Sequence, residues 1–177
     1  MNGIVIYESH WGNTEIVARA IAAGLGPGAR AARTDEVSED DLAAADILVV
    51  GAPVIAFGLA REDMRAGLVD DRKAPKPADV QHPSMRSWLS RVARHGTPFA
   101  AFETRIWWSP RGATGDIEKR MTKAGYQPIA KPQRFVVEGT YGPLRDGELH
   151  RAREWGSELA ATVATEAEAA VPASRRF

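Results

Sequence analysis

The feature that most constrains the fold is an uninterrupted apolar run, Ile47 to Val50, bounded by Asp46 and Gly51. A run of strand length that does not alternate between apolar and polar residues is typical of a strand covered on both faces. Sheets covered on both faces are mostly parallel, and parallel strands need long crossover connections that are usually helical. The run therefore predicts a parallel sheet with helices on both sides.

The rest of the chain alternates between short apolar runs and stretches with helical spacing. Strands are predicted at 3–8, 30–35, 46–51, 97–102 and 133–139. Helices are predicted at 14–25, 84–94, 114–124 and 146–170, and Ser38 with Asp41 indicates a capping box that opens a further short helix. Five strands that alternate with helices predict an α/β fold with a doubly wound five-stranded parallel sheet.

A single domain is expected from residues 1–171, followed by a C-terminal tail at 172–177. The length of 177 residues suits one domain. Residues 53–81 are rich in Gly, Pro and charges of both signs and show little periodicity. This segment is predicted to be a solvated loop or lid, in which Arg61 or Arg65 could meet an anionic substrate.

The composition excludes several classes of function. The chain has no cysteine, which excludes disulfides, thiolate metal sites and a cysteine nucleophile. Lys+Arg and Asp+Glu both number 23, and this balance argues against a general nucleic-acid binder. The four histidines are scattered, so no metal site is expected. No apolar run approaches the ~20 residues that cross a membrane. We expect a cytoplasmic protein without membrane or nucleic-acid partners.

The loop from Glu8 to Thr14 joins the first strand directly to the first helix. Ligands of doubly wound sheets bind beyond the carboxyl ends of the strands. Free backbone N–H groups and the helix dipole at a helix N-terminus suit a phosphate. The loop contains no Lys or Arg, so neutral dipoles would hold the anion, and the Gly-Lys-Ser/Thr sequence of a P-loop is absent. An ordinary strand–helix turn capped by Asn13 or Thr14 remains open as an alternative.

The sequence Tyr-Glu-Ser-His-Trp-Gly-Asn-Thr-Glu, followed by an apolar-periodic helix, resembles the phosphate loop of flavodoxins. The resemblance implies the strand order 2-1-3-4-5 and a loop that holds the phosphate of flavin mononucleotide (FMN). It assigns that role to Ser9, Asn13 and Thr14, with Gly12 matching the pattern and Trp11 replacing the usual hydroxyl residue. The candidate cofactor contacts in this loop are Ser9, His10, Trp11, Gly12, Asn13 and Thr14. His10 is expected either to be exposed or to donate to the phosphate.

The third predicted strand continues into Gly51-Ala-Pro53, which is similar to the start of the second flavin loop in flavodoxin-like proteins. The family usually places a Thr and then a His or Tyr after this proline, and here those positions are Val54 and Ile55. Their side chains cannot hydrogen-bond the ring, so only backbone N–H groups remain. Ala56 and Phe57 could bring backbone and one aromatic face to the flavin, although Phe57 could equally be a core residue.

The fourth predicted strand ends in Glu103, Thr104 and Arg105, which resemble the Phe-Asp-Thr-Arg stretch that opens the third flavin loop in one branch of the family. Trp107 and Trp108 follow, and an aromatic ring suits stacking on a flavin. Neighbouring side chains point in opposite directions, so at most one tryptophan should face the ring. We assign this contact to Trp107. The alternative is that one tryptophan packs under the loop and the other meets a partner chain.

The resemblance implies an FMN-binding redox protein that transfers electrons to a partner protein or reduces a small molecule of the quinone type, as a monomer or a homodimer. Whether the chain is an enzyme stays open. One alternative is a flavodoxin-like domain that has lost FMN, or holds it weakly, and serves as a ligand-binding or interaction protein. Another is a catalyst without redox chemistry that uses His10 and Glu103 as acid and base.

Overall fold

Short apolar runs form the strands and apolar-periodic stretches form the helices in the computed structural model, which describes residues 1–170. The strands are β1 (Gly3–Tyr7), β2 (Arg30–Arg33), β3 (Ile47–Pro53), β4 (Pro98–Ile106), β5 (Gln127–Pro128) and β6 (Gln133–Val137). The helices are α1 (Asn13–Leu25), α2 (Glu39–Ala44), α3 (Glu62–Val69), α4 (Met85–Arg91), α5 (Thr114–Lys123) and α6 (Glu148–Ala170). The predicted tail at 172–177 lies outside the described residues.

The strands form one parallel sheet in the order β2-β1-β3-β4-β5, with β6 also paired to β4. The predicted order 2-1-3-4-5 is confirmed. Two short strands share the fifth position, because β5 pairs with the start of β4 at Pro98 and β6 pairs with its end from Phe102 to Ile106. The apolar run of β3 lies in the centre of the sheet, where Val49 pairs with Val5 on one side and Ala100 on the other.

Helices cover both faces of the sheet, as the continuous apolar run of β3 predicts. On one face α1 and α6 bury a layer that includes Ile21 and Trp155. On the other face α4 and α5 bury a layer that includes Met85 and Met121. The first helix begins and ends where its sequence indicates, and the predicted capping box of α2 is present between Ser38 and Asp41.

Two elements differ from the sequence prediction. The segment predicted as an irregular loop at 53–81 contains α3, whose one fully buried side chain is the charged Arg65. Strand β4 extends to Ile106 instead of ending near residue 102, because the charged residues Glu103 and Arg105 neutralise each other inside the sheet. Among residues 1–170, no helix is both long enough and apolar enough to span a membrane.

Candidate functional site

A cavity of about 270 Å³ opens at the carboxyl ends of β1, β3 and β4. This is the edge at which doubly wound sheets place their ligands. Most of the residues proposed from the sequence line it. They are Ser9, His10, Trp11, Asn13, Thr14, Pro53, Val54, Ile55, Ala56, Phe57, Thr104 and Arg105.

Three proposed residues, Gly12, Glu103 and Trp107, do not line the cavity. Residues that the sequence analysis did not propose as contacts complete the wall. They are Leu68, Ile106, Trp108, Ser109, Val137 and Thr140. The fifth strand position supplies Val137, and its carboxyl end lies at the same edge because β6 runs parallel to β4.

The loop after β1 is closed by its own side chains and leaves donors free. Gly12 adopts a left-handed conformation with φ 98°, and its N–H donates to the Ser9 Oγ at 3.1 Å. The Asn13 Nδ2 donates to the Tyr141 backbone oxygen at 3.0 Å. The first backbone hydrogen bond of α1 runs from Ile16 to Gly12, so the N–H groups of residues 13–15 have no acceptor among the described residues. They form a donor set suited to an anion.

The side chains of Thr14 and Trp11 lie next to these N–H groups in the sequence. The Thr14 Oγ1 lies 2.7 Å from the Thr104 Oγ1 in a buried contact that joins α1 to β4. The indole Nε1 of Trp11 is buried and has no hydrogen-bond partner among residues 1–170. The Trp11 ring packs edge-on against Tyr141 with centroids 5.0 Å apart. A buried donor without an acceptor is costly.

In the loop after β3, the backbone N–H groups of Val54 and Ile55 are already hydrogen-bonded within the chain. They are therefore not available to a flavin ring, contrary to the expectation from the sequence. The Val54 N–H donates to Thr104 and the Ile55 N–H donates to Gly58, each at 2.9 Å. The next free N–H groups belong to Ala56 and Phe57, which occupy a tight turn with φ 46° and 70°. Left-handed backbone costs a non-glycine residue about 1–2 kcal/mol.

Two exposed aromatic residues lie at the cavity rim, Phe57 in the loop after β3 and Trp108 in the turn after β4. Phe57 is 47% exposed and meets the edge of Trp108 with ring centroids 6.4 Å apart. The chain turns after β4, where the Ser109 N–H donates to the Ile106 oxygen at 3.1 Å. Trp107 and Trp108 occupy the middle of that turn and diverge, so Trp108 lines the cavity and Trp107 is 69% exposed away from it.

Glu103 lies beneath the site and does not enter it. Its carboxylate is fully buried and accepts hydrogen bonds from the N–H groups of Ala113 at 2.6 Å and Thr114 at 3.0 Å. The Arg105 Nη1 donates to the other oxygen at 3.0 Å. A Cβ atom on Gly112 would overlap this carboxylate. Glu103 therefore stabilises the start of α5.

His10 is buried, contrary to the exposure expected of a loop histidine. Its Nδ1 donates to the Asp79 oxygen at 3.1 Å, and its Nε2 lies 3.5 Å from the Glu8 Oε1. Burial lowers the pKa of His10 to about 4 and raises the pKa of Glu8. The Arg65 Nε lies 2.9 Å from the same Glu8 oxygen. The polar contacts of His10 and Glu103 go to separate groups, so the geometry does not assemble them as an acid–base pair.

The donor set fits one end of FMN better than the other. The free N–H groups of α1 and the Thr14 hydroxyl suit a phosphate. Toward a flavin ring the cavity offers apolar and aromatic walls and few donors. Within residues 1–170, no group of three His, Asp or Glu side chains is placed to hold a metal ion.

Comparison of the sequence with protein-family models gave no match, and comparison with curated proteins gave none. Solved structures match over nearly the whole chain. A flavodoxin from the domain Archaea matches with a TM-score of 0.64 and 21% identity, covering 93% of this chain and 99% of the archaeal one. A WrbA-like flavodoxin from Agrobacterium tumefaciens matches with a TM-score of 0.60 and 20% identity, covering 93% and 98%.

A flavodiiron core from Synechocystis sp. PCC6803 matches with a TM-score of 0.61 and 18% identity, covering 94% of this chain and 36% of that one. At these identities the matches establish the fold, and function must be argued from the site itself. The resemblance predicted from the sequence is confirmed at the level of the fold. By its sheet order and these matches, the chain has the flavodoxin-like fold.

Proposed function

We propose that the protein binds FMN at the carboxyl edge of its sheet and acts as a redox protein. The observation that carries this proposal is the set of backbone N–H donors without acceptors where α1 begins, beside the half-buried Trp11 that lines the same cavity. An anion there would satisfy several donors at once, and the adjoining cavity is walled by apolar and aromatic side chains that suit a planar ring.

Each loop has a defined task in this proposal. The N–H groups of residues 13–15 and the Thr14 hydroxyl bind the phosphate, while Asn13 ties the loop to Tyr141. The N–H groups of Ala56 and Phe57 are the remaining backbone donors for the polar edge of the ring. Bound FMN would supply transfer of one or two electrons. The protein residues bind it, orient it and limit its contact with water.

The reaction partner is proposed to be a small molecule, with a redox partner protein as the alternative. Leu68 of α3 reaches the cavity wall, so the inserted segment, residues 53–81, helps to enclose the cavity. An enclosed apolar space suits a small aromatic acceptor such as a quinone. A homodimer would be a further way to cover Trp107, which is 69% exposed.

A second candidate function is a flavodoxin-like domain that has lost FMN and binds another phosphorylated or aromatic ligand. The hydrogen bonds of Val54 and Ile55 favour it, because these N–H groups are already paired and their side chains are apolar. Such a protein would keep the anion site and lack the donors that recognise the polar edge of a flavin.

The visible absorption spectrum of the purified protein tests the proposal. We expect a flavin spectrum, either at once or after incubation with FMN and removal of the excess. Riboflavin, which lacks the phosphate, should bind more weakly if the α1 donors carry the affinity. A colourless protein that does not retain FMN would reject this function and favour the second candidate.

A further inference from the structure

A stretch of the inserted segment, residues 71–79, crosses over the loop from Ser9 to Thr14, and we call it the strap. At one end the Tyr141 hydroxyl donates to the Asp71 Oδ2 at 2.6 Å. At the other end the Asp79 N–H donates to the His10 backbone oxygen at 2.8 Å. The His10 Nδ1 donates back to the Asp79 oxygen. The strap is thus fixed on both sides of the phosphate loop.

Prolines restrict the backbone between these two anchors. Lys76 stands between Pro75 and Pro77. A proline fixes its own φ, and it also confines the residue before it to extended conformations. Ala78 is buried directly after this triplet. The backbone of Lys76 is therefore held in place before any ligand arrives, which lowers the entropy lost when its side chain binds.

The side chain of Lys76 reaches the phosphate loop. A Cβ atom built on Gly12 would lie 4.0 Å from the Lys76 Nζ. The two carboxylates of the strap's anchors are engaged elsewhere, because Asp71 accepts from Tyr141 and Asp79 lies 3.6 Å from the Arg33 Nη1. The loop from Glu8 to Thr14 has no Lys or Arg of its own, so Lys76 brings a positive charge to it from about 60 residues along the chain.

We propose that Lys76 is a specificity-determining residue that binds the phosphate group of FMN at the loop from Ser9 to Thr14. The inference rests on the proposed function and deepens it. The neutral dipoles of α1 bind the anion, and the ammonium group of Lys76 adds a charge-assisted contact to it. Lys76 then makes the site select FMN over riboflavin. It belongs to the segment at 53–81, which the sequence pattern predicted only as a loop or lid.

The test is titration of the apoprotein with FMN and with riboflavin at low and at high salt. Quenching of the flavin fluorescence reports binding. We expect Lys76→Gln to weaken FMN binding by roughly tenfold or more, the factor given by the loss of one charge-assisted contact. Riboflavin affinity should not change. The difference between wild type and Lys76→Gln should shrink as salt rises, because an exposed charge is screened. Lys76→Arg should retain most of the FMN affinity.

The matched control is Lys73→Gln, which removes the same charge from another exposed position of the strap. It should leave both affinities near the wild-type values. If the wild type prefers FMN over riboflavin and Lys76→Gln binds FMN as tightly as the wild type does, the role of Lys76 is overturned. The proposed function would still stand. Equal losses in the Lys73 and Lys76 variants would also overturn it, since the effect would be general charge. Wild type that binds no FMN would overturn both proposals.

Discussion

The Nε of Arg65 lies 2.9 Å from the Oε1 of Glu8, and both side chains are buried. Glu8 directly follows β1 and Arg65 belongs to α3, so this ion pair fixes the inserted segment to the end of β1. The second Glu8 oxygen accepts from the N–H of Met85 at 2.9 Å, where α4 begins. One carboxylate thus joins three elements.

Removal of Arg65 should destabilise the protein strongly. Arg65→Ala leaves the Glu8 carboxylate buried without its cation, and such a loss costs about 3–5 kcal/mol. The free energy of unfolding from urea denaturation measures the change. Arg61→Ala is the matched control, because Arg61 pairs with Asp63 in solvent and should change stability by less than about 1 kcal/mol. Similar values for the two variants would contradict the importance of the buried pair.

His10 should make stability depend on pH. Its pKa is about 4 in the folded protein against 6.5 in the unfolded chain, so its contribution is present above pH 6.5 and is lost as pH falls toward 4. Relative to His10→Asn, whose amide can replace the Nδ1 donor, wild type should lose roughly 2 kcal/mol between pH 7.5 and 5. Urea denaturation across this range measures the difference. Burial of Glu8 acts in the opposite sense, so the comparison must be between these two proteins.

A histidine on the surface provides the control for this pH dependence. His150 lies on α6, where its side chain is 77% exposed beside Glu154. His150→Gln should follow the wild-type pH profile. If His10→Asn and wild type lost stability in parallel, the assignment of a buried neutral imidazole to His10 would be refuted.

Asn13→Asp should weaken FMN binding sharply. The substitution places a carboxylate beside the phosphate and also turns a donor to the Tyr141 oxygen into an acceptor. We expect the dissociation constant for FMN to rise by roughly tenfold to a hundredfold, equivalent to about 1.4–3 kcal/mol. Riboflavin affinity should change much less. Unchanged FMN affinity would remove the loop from the phosphate site.

Gly112→Ala should destabilise the start of α5. The added methyl group displaces the Glu103 carboxylate from the N–H groups of Ala113 and Thr114, at a cost of about 2 kcal/mol or more. Gly115 lies in the same helix with open space at its Cβ position. There the same substitution should stabilise the protein by about 0.5–1 kcal/mol. Thermal unfolding should therefore shift in opposite directions for the two variants.

Ala56→Gly should stabilise the fold. Ala56 has φ 46°, and glycine adopts this backbone without the penalty of about 1–2 kcal/mol that a Cβ atom imposes. Ala66→Gly in the exposed part of α3 is the control, because it should cost about 0.5–1 kcal/mol in a right-handed helix. Urea denaturation compares the two. A loss of stability in both variants would mean that the turn is not held in the left-handed conformation.

Apolar periodicity was enough to predict most elements, because β3 and the amphipathic helices bury apolar side chains. The strand order came from the resemblance to flavodoxins and is confirmed. Periodicity could not predict α3, since the buried residue of that helix is Arg65, whose partner Glu8 is distant in sequence. It could not predict β5, which has two residues. Strand β4 was cut short for a similar reason, because Glu103 and Arg105 are polar in sequence and paired in the fold.

The site was predictable where it follows strand ends, as most of the proposed residues line the cavity. The sequence could not identify which tryptophan of an adjacent pair enters it, because the turn from Ile106 to Ser109 sets their directions. Leu68 reaches the cavity from a segment without a family pattern in the sequence. The position of Lys76 depends on hydrogen bonds at Tyr141 and His10, and no local pattern encodes such contacts.

The break between β5 and β6 divides the edge of the sheet into two separately aligned pieces. Each piece has its own register on β4, fixed at Pro98 for β5 and at Phe102 for β6. In the connection at 129–132 the Ile129 N–H donates to the Phe99 oxygen at 3.0 Å, and Ile129 and Ala130 pack against the core, so only its exposed residue Lys131 is free of both constraints. A reporter peptide grafted at Lys131 would therefore lengthen the chain between two strands whose registers on β4 are set independently.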